Sequence, residues 1–434
     1  MNTKNKGVFL QRAKQYFDKD YDEFVSLIDQ KPSSGFFVNE KKANKDKIFE
    51  IIDFEYKESN INDKSYYCLS DSIGKSKAYE LGIIYPQDVE SSIPISFLKD
   101  TNISLAIDLC AAPGGKSINA LNKLNDDCLF ISNDVTYSRA SILSSNLERC
   151  GFTNAIVTSL KPDYLASKYQ GLFDLVILDA PCSGEGMIRK YPEILDTYSV
   201  SNIENLANIQ KGLLEDAYKL LNEGGTLIYS TCTFAFEEDE NQVKDFLNSH
   251  EDMELIKLDF NNTSSKLEGT IKLSFLNNTE GQYMAIMKKK GNLVSKKYKQ
   301  KKTTKNRIVD KFIKDNLDIK EYYLYNNENN YYLSKIPLID IEYGLLRYGI
   351  FLGELKKDRF EPSHNLYRSN NLTFRYQYDL SDEEYLKFIK GNELTIEKED
   401  NYFQVTYKGL SLGYGKCAKG KLKNKYPKGL RRVI

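Results

Sequence analysis

The sequence predicts an α/β fold whose central region is a parallel β-sheet with helices on both faces. Between residues 105 and 290, strand-like apolar runs alternate with helix-like segments, and this alternation is typical of a parallel sheet. Beyond residue 307 the pattern changes to short strand-like segments, which indicates a separate C-terminal α+β or β-rich module. With 434 residues, 41% of them apolar, the chain is long enough to bury a sizeable core.

The predicted elements follow one another in a regular order. Residues 1–30 show helical spacing of apolar residues, and the KPSSG segment ends that helix. In the central region we expect strands at 105–109, 128–134, 154–159, 173–180, 226–231 and 282–288, with helices from about Lys116 and at 138–150, 202–221 and 237–250.

These patterns divide the chain into four parts. We expect an N-terminal domain over residues 1–60, the α/β core over 61–290, a basic linker over 291–307 and a C-terminal domain over 308–434. The linker assignment depends on the point where the alternating pattern stops.

Positive charge is concentrated in two stretches of a chain whose net charge is zero. Residues 288–307 hold ten basic residues and residues 416–432 hold eight, and neither stretch contains an acid. Stretches of this kind suit contact with phosphate groups. The alternative is a solvated linker and a solvated tail, although Tyr, Pro, Gly and Leu interleave with the lysines of the second stretch as on a folded surface.

The seven cysteines do not form a recognisable disulfide or metal pattern. Their number is odd and they include no CxxC pair, and only two histidines are present, so we expect neither a disulfide framework nor a structural zinc site. The sequence shows no signal peptide and no apolar run of 18 residues. We therefore predict a cytoplasmic protein with reduced thiols, and a monomer.

The first segment that carries chemistry is IDLCAAPGGKS, residues 107–117. It follows a predicted strand and opens a predicted helix, so Gly114 and Gly115 would let the backbone approach a ligand beside free N–H groups. The next strand ends at Asp134, where a carboxylate suits a ribose diol. A G-x-G-x-x-G pattern is absent, which argues against a plain dinucleotide enzyme. The segment indicates a nucleoside-binding turn, and a tight turn without a ligand is the alternative.

Two further segments follow strands at the same sheet edge. LDAPCSGEGM (178–187) places Asp179 and Cys182 at the end of a buried strand, and YSTCTFAFEEDENQ (229–242) places Cys232 just before a predicted helix. A position next to a helix N-terminus favours a reactive thiolate. A metal site needs more ligands, and a redox pair is usually CxxC. We therefore predict covalent catalysis by a thiolate with an acid nearby; for Cys182 alone, a small buried apolar residue is the alternative.

Together these segments resemble the RNA 5-methylcytosine methyltransferases of the NSUN/RsmF family. The runs GIIYPQDVESSIP (82–94) and LERCGFTNAIV (147–157) also look like family segments, and residues 407–432 are similar to its PUA-like RNA-binding end. The resemblance implies a Rossmann-like core that uses S-adenosylmethionine, an N-terminal RNA-binding domain and a C-terminal PUA-like module. It implies a cofactor site formed by Cys110, Ala111, Ala112, Pro113, Gly114, Gly115, Lys116, Asp134, Asp163 and Asp179.

The resemblance also implies a role for each catalytic residue. Cys232 is the nucleophile that adds to carbon 6 of cytosine, Cys182 assists release of the product, and Asp179 contacts ring nitrogen 3. No metal is needed. The family usually carries an aspartate where Lys161 stands here, and we expect Asp163 to replace it.

The implied substrate is ribosomal RNA, with 16S rRNA or the small ribosomal subunit as partner. Methylation of tRNA by the same machinery is an alternative. A non-catalytic RNA-binding assembly factor would not need two cysteine motifs, and a nicotinamide-dependent dehydrogenase would show a different glycine pattern.

Overall fold

The computed structural model describes residues 3–70, 73–261 and 263–432. The N-terminal region begins with two helices, followed by a small sheet with short helices around it. Its elements are α1 Thr3–Phe17, α2 Tyr21–Ile28, β1 Gly35–Val38, α3 Lys45–Ile51, β2 Tyr56–Glu58, β3 Ser65–Cys68, α4 Lys77–Leu81, β4 Ile84–Pro86 and α5 Ile93–Ser96.

The single helix predicted over residues 1–30 is therefore wrong. Asp18 adopts a left-handed backbone conformation with φ 42°, which no continuous right-handed helix accommodates. The break lets Phe17 of α1 stack on Phe24 of α2, with ring centroids 3.9 Å apart. Residues 1–2 lie outside the described residues.

The central region alternates strands and helices as the sequence predicts. Its elements are β5 Leu105–Asp108, α6 Gly115–Lys123, β6 Leu129–Asn133, α7 Tyr137–Cys150, β7 Ala155–Thr158, α8 Pro162–Lys168, β8 Phe173–Asp179, α9 Val200–Leu220, β9 Leu221–Thr231, α10 Glu240–Ser249, β10 Met253–Ile256, β11 Ile271–Leu273 and β12 Gln282–Lys289.

Five of these strands form the parallel centre of the main sheet, in the order β7-β6-β5-β8-β9. The chain runs outward from β5 to β7 and then returns to β8, so the topology reverses between β5 and β8. Open α/β sheets bind ligands at the carboxyl ends of the strands next to such a reversal. Neighbouring residues Val176 and Ile177 of β8 enter different apolar clusters on the two faces, which confirms the predicted helix-covered sheet.

The C-terminal region consists mainly of short strands, with a helix at its start and two more among the strands that follow. Its elements are α11 Arg307–Asn316, β13 Leu317–Asp318, β14 Tyr323–Asn327, β15 Asn330–Ser334, β16 Leu345–Tyr348, β17 Ile350–Lys356, β18 Arg359–Pro362, α12 His364–Arg368, β19 Thr373–Phe374, β20 Gln377–Leu380, α13 Asp382–Ile389, β21 Leu394–Thr395, β22 Tyr402–Tyr407, β23 Leu410–Ala418 and β24 Lys421–Asn424.

The structure corrects two of the predicted domain boundaries. The boundary after residue 60 falls between the paired strands β2 and β3, so the N-terminal unit extends at least to β4. Likewise β16, from the region predicted to be separate, pairs with β7 at the edge of the main sheet. The two errors have different causes: β2 and β3 are short neighbouring strands with a weak apolar pattern, whereas β16 and β7 are distant in the chain and their pairing leaves no local sequence signal.

The N-terminal sheet and the C-terminal sheet share one hydrophobic core. Phe36 and Ile84 belong to the same buried cluster as Phe388 and Leu422. Beside this cluster the buried carboxylate of Glu80 accepts hydrogen bonds from the hydroxyls of Tyr385 and Tyr426 and pairs with Arg432 at 2.7 Å. The two ends of the chain therefore form one packed unit beside the core.

Candidate active site

The candidate site lies at the carboxyl edge of the parallel strands, where β5, β8 and β9 end. Lys116 at the start of α6, Asp179 at the end of β8 and the two cysteines come together there, as the sequence predicts. The helix expected from residue 237 begins at Glu240, so Cys232 does not lie beside its first turn as predicted.

The two predicted cysteines are in direct contact. Their Sγ atoms are 3.0 Å apart, and the backbone N–H of Cys232 donates to Cys182 Sγ at 3.3 Å. Both are free, half-buried thiols. The hydrogen bond to Cys232 and burial raise the pKa of the Cys182 thiol well above its usual value. Cys182 therefore keeps its proton at neutral pH and can donate it to the Cys232 sulfur.

An ion pair stands beside the thiols. Lys116 Nζ lies 2.8 Å from Asp179 Oδ1, and Ser230 Oγ donates to the same oxygen at 2.8 Å. The lysine side chain is 9% exposed and the aspartate 37%, so the carboxylate is the part of the pair that a substrate can reach.

Contacts from α7 and β6 fix the glycine-containing loop that opens α6. Arg139 donates to the carbonyl of Ala112 at 2.8 Å, and Asn146 donates to that of Pro113 at 2.9 Å. Gly114 has φ 121°, and a Cβ there would lie 3.1 Å from the Leu143 side chain. A side chain at this position would therefore be strained, which explains the glycine.

Two acids lie at the strand ends around this loop and a third lies on α8, and one of the first two was not predicted from the sequence. Asp108, the last residue of β5, is buried; it accepts a hydrogen bond from Ser117 Oγ at 2.7 Å, and its Oδ1 has no partner among the described residues. Burial raises the pKa of Asp108 to about 7. Its position directly before the loop was the signal that could have identified it.

The other two acids differ in burial. Asp134 is buried, accepts from the backbone N–H of Thr136 at 2.9 Å and pairs with Arg139 at 3.3 Å. Asp163 is exposed in the first turn of α8 and accepts from the N–H of the next residue. Burial and then the nearby Asp163 carboxylate raise the pKa of Asp216 on α9.

A buried clamp, also missed from the sequence, holds the turn that carries Cys182. Gln210 Nε2 donates to the carbonyl of Pro181 at 2.9 Å and to Glu238 Oε2 at 2.8 Å, while the backbone N–H of Ser183 donates to the same carboxyl oxygen at 3.0 Å. Burial raises the pKa of Glu238 to about 7. In the sequence Glu238 belongs to an acidic run that cannot be distinguished from a solvated surface.

Behind Cys232 lies a second lysine–carboxylate cluster, which is closed to solvent. Lys272 Nζ lies 3.0 Å from Asp239 and 2.7 Å from Glu240, and it donates to the carbonyl of Phe234 at 2.9 Å. Thr231 Oγ1 donates to Asp239 at 2.5 Å. These bonds fix the chain on both sides of Cys232.

Among the described residues, no group of three or more His, Cys, Asp and Glu side chains could hold a metal ion. In the same part of the chain no helix is long and apolar enough to cross a membrane.

Comparisons with known proteins identify the relatives of the chain. The family described as 16S rRNA methyltransferase RsmB/F matches residues 95–288, and the methyltransferase RsmF PUA domain matches residues 375–432. The chain is 27% identical over 390 residues to ribosomal RNA small subunit methyltransferase F of Vibrio vulnificus, covering 83% of this chain and 81% of that protein.

The protein of the same name from Vibrio cholerae is 35% identical over 170 residues, which is 39% of this chain and 36% of that protein. The crystal structure of NSun6 from Pyrococcus horikoshii, solved with an S-adenosylmethionine analogue, has a TM-score of 0.58 and 18% identity. The match covers 65% of this chain and 98% of the NSun6 chain. At 18% identity the similarity establishes the fold alone.

Proposed function

The chain belongs to the RsmB/F family of S-adenosylmethionine-dependent RNA methyltransferases, and on that premise we propose that it methylates carbon 5 of a cytosine in small-subunit ribosomal RNA. The observation that carries the proposal is the pair of thiols 3.0 Å apart beside the Lys116–Asp179 ion pair. Carbon 5 of cytosine is a weak nucleophile, and thiolate addition at carbon 6 activates it.

The donor set of the loop suits S-adenosylmethionine. The free, buried oxygen of Asp108 can accept from the ammonium group, and Asp134 can accept from the ribose hydroxyls. Backbone atoms of residues 110–116 would line the ligand, with Gly114 allowing close approach. When bound, this cofactor supplies a methyl group on a positively charged sulfur. A contact from Asp163, which is exposed on α8, to the cofactor remains a prediction.

In the proposed reaction the Cys232 thiol loses its proton to solvent, its sulfur bonds to carbon 6, and the electron pair of the 5,6 double bond moves toward carbon 5 and nitrogen 3. Asp179 takes part as the carboxylic acid: it donates its proton to nitrogen 3 as negative charge develops there, and Lys116 stabilises the carboxylate that results. The cytosine must be unpaired or flipped to reach these groups.

Release follows methyl transfer to carbon 5. Nitrogen 3 returns its proton to Asp179, the carbon 5 proton passes to a solvent water, the electron pair left on carbon 5 restores the 5,6 double bond, and the bond between carbon 6 and the Cys232 sulfur breaks. Cys182 can donate its thiol hydrogen to the departing sulfur, 3.0 Å away. The raised pKa of Cys182 supports this role, because the proton must still be present when the bond breaks.

The names of the relatives favour ribosomal RNA over tRNA, and we expect the N-terminal sheet and the PUA domain to bind that RNA. Bisulfite sequencing of cellular RNA from a deletion strain tests the substrate directly. Loss of a methylated cytosine from small-subunit rRNA would support the proposal. Loss of one from tRNA alone would support tRNA methylation instead. We expect the enzyme to act in the cytoplasm as a monomer.

Denaturing gel electrophoresis of the enzyme with labelled target RNA tests the mechanism. With S-adenosylmethionine present, Cys182→Ala should accumulate a covalent protein–RNA adduct, because attack and transfer proceed and elimination stalls. Cys232→Ala should form no adduct and transfer no methyl group. The reverse pattern would mean that the roles are exchanged, and two active variants without adducts would exclude the covalent mechanism.

A further inference from the structure

The basic stretch predicted to be a linker is an ordered strap on the surface of the core. Residues 291–306, which we call the basic strap, form no helix or strand, yet their backbone is fixed at several points. Asn222 donates to the carbonyl of Val294 at 2.8 Å, the N–H of Lys301 donates to Leu338 at 2.9 Å, and that of Thr304 donates to Leu324 at 2.8 Å. The strap therefore holds its side chains in a defined row.

Most lysines of the strap are not neutralised by the protein. Lys297, Lys302 and Lys305 are exposed, and among the described residues none of the three has an ion-pair partner. Lys299 pairs with Asp340 at 2.7 Å, and Lys301 lies over the Tyr348 ring at 4.4 Å. The row of uncompensated charge is fixed along the surface and available to an anionic partner.

A basic cavity adjoins the strap and shares Lys296 with it. Its volume is about 630 Å³, and its charged lining residues are Lys219, Lys289, Lys290, Lys296, Glu223 and Asp252. The four lysines outnumber the two carboxylates, and one of those, Asp252, lies 3.8 Å from Lys289. The cavity thus adds positive charge to that of the strap.

The cavity and the first residues of the strap, up to Lys296, lie at the amino ends of the parallel strands. Asn222 is near the start of β9, and Lys296 Nζ lies over Gly171, just before β8. The candidate active site is at the opposite ends of these strands. The seven residues of β8 separate the two edges by roughly 20 Å at about 3.3 Å per residue, so an RNA that contacts both must extend around the side of the core.

We propose that the basic strap and the adjoining cavity are a second RNA-binding surface, which contacts the phosphate backbone of a segment distant from the target cytosine. The inference rests on the proposed function for the identity of the polyanion. It adds that the substrate is an RNA that extends well beyond the target cytosine, because the two surfaces lie at opposite edges of the sheet.

The test compares binding of two RNAs to the full-length protein at several salt concentrations. One RNA is a short hairpin that contains the target cytosine, and the other is full-length small-subunit rRNA. The variant is K297Q/K302Q/K305Q, the charge-preserving control is the triple Lys→Arg variant, and a site control replaces exposed Lys99, Lys211 and Lys244 of the core with Gln.

We expect K297Q/K302Q/K305Q to weaken binding of the long RNA by about fivefold at 0.1 M salt for each phosphate that the strap no longer neutralises. The slope of log affinity against log salt should fall by roughly 0.7–0.9 for each such phosphate. Binding of the hairpin and its methylation should stay within twofold of wild type, and both controls should behave as wild type. Crosslinking of lysines in the wild-type complex with long RNA should map to the strap.

Any of four results would overturn the proposal. The slope of log affinity against log salt could stay unchanged for the long RNA, or both RNAs could lose affinity equally. The site control could lose as much affinity as the strap variant, or no crosslinks could map to the strap. Since binding is measured without methyl transfer, an inactive enzyme that shows the strap effect would refute only the proposed function.

Discussion

Two lysine–carboxylate clusters lie on opposite faces of β9 and use the same chemical groups for different purposes. Successive side chains of a strand point to opposite faces. Ser230 donates to Asp179 at 2.8 Å on the open face, and the next residue, Thr231, donates to Asp239 at 2.5 Å on the closed face. The open cluster contains Lys116, and the closed one contains Lys272.

The clusters differ in solvent access. Lys272 is 1% exposed and its two partners are equally buried, whereas Asp179 in the open cluster is 37% exposed. Burial acts to lower the pKa of Lys272, but the carboxylates of Asp239 and Glu240 raise it above its usual value. The closed cluster therefore stays paired and supports the Cys232 segment, and the open cluster leaves a carboxylate for a substrate.

The largest loss of stability is expected when the lysine of the closed cluster is replaced. Lys272→Met should lower the free energy of unfolding by about 3–5 kcal/mol, because two buried carboxylates lose their cation. Denaturant unfolding measures this change. The control Lys257→Ala removes an exposed pair with Glu268 and should leave stability unchanged; a small effect at Lys272 would mean that the cluster does not support the fold.

In the open cluster, replacing the carboxylate should reduce activity strongly and stability little. Asp179→Asn should reduce methyl transfer by about 10²–10³-fold, since the acid that gives its proton to the reacting ring is lost. Its unfolding midpoint should stay close to that of wild type, because the side chain is partly exposed. Single-turnover kinetics together with thermal unfolding measure both quantities, and a variant that loses stability without losing activity would reverse the assignment.

Asp134 tests an intermediate case, a buried carboxylate that faces the loop. Asp134→Ala should weaken S-adenosylmethionine binding by about 1–3 kcal/mol, the range for hydrogen bonds to charged groups. Calorimetry measures this affinity, and Cys232→Ala serves as the control that should bind the cofactor like wild type. Unchanged affinity in Asp134→Ala would remove Asp134 from the cofactor site.

The smallest effects should come from the two hydroxyls that join β9 to the clusters. Thr231→Val leaves a buried Asp239 oxygen without its donor and should cost about 1–2 kcal/mol of stability. Ser230→Ala should change stability less, because water can replace the hydroxyl at the partly exposed Asp179. Equal losses in parallel denaturant titrations would show that the two faces of β9 are alike.

The candidate site could be predicted from the residues that lie at the ends of the strands. Regular alternation located β5, β8 and β9, and residues directly after parallel strands must meet at one edge, so Asp179, Cys182 and Cys232 could be placed together. Asp108 and Glu238 were missed because an acid in a sequence shows its charge and not its burial.

Contacts between distant segments of the chain also could not be predicted from local sequence patterns. The register of β16 on β7 and the packing of the N-terminal sheet against the C-terminal one join segments that are far apart in the chain. The break at Asp18 was hidden because the apolar residues of α1 and α2 keep helical spacing across it.

The core shared by the two ends of the chain restricts the order in which the protein can be made. Phe36 and Ile84 leave the ribosome long before their partners Phe388 and Leu422 are synthesised. During translation the first sheet therefore exposes an apolar face while the central sheet is still being completed. This intermediate is aggregation-prone and is the stage at which a chaperone has most to protect.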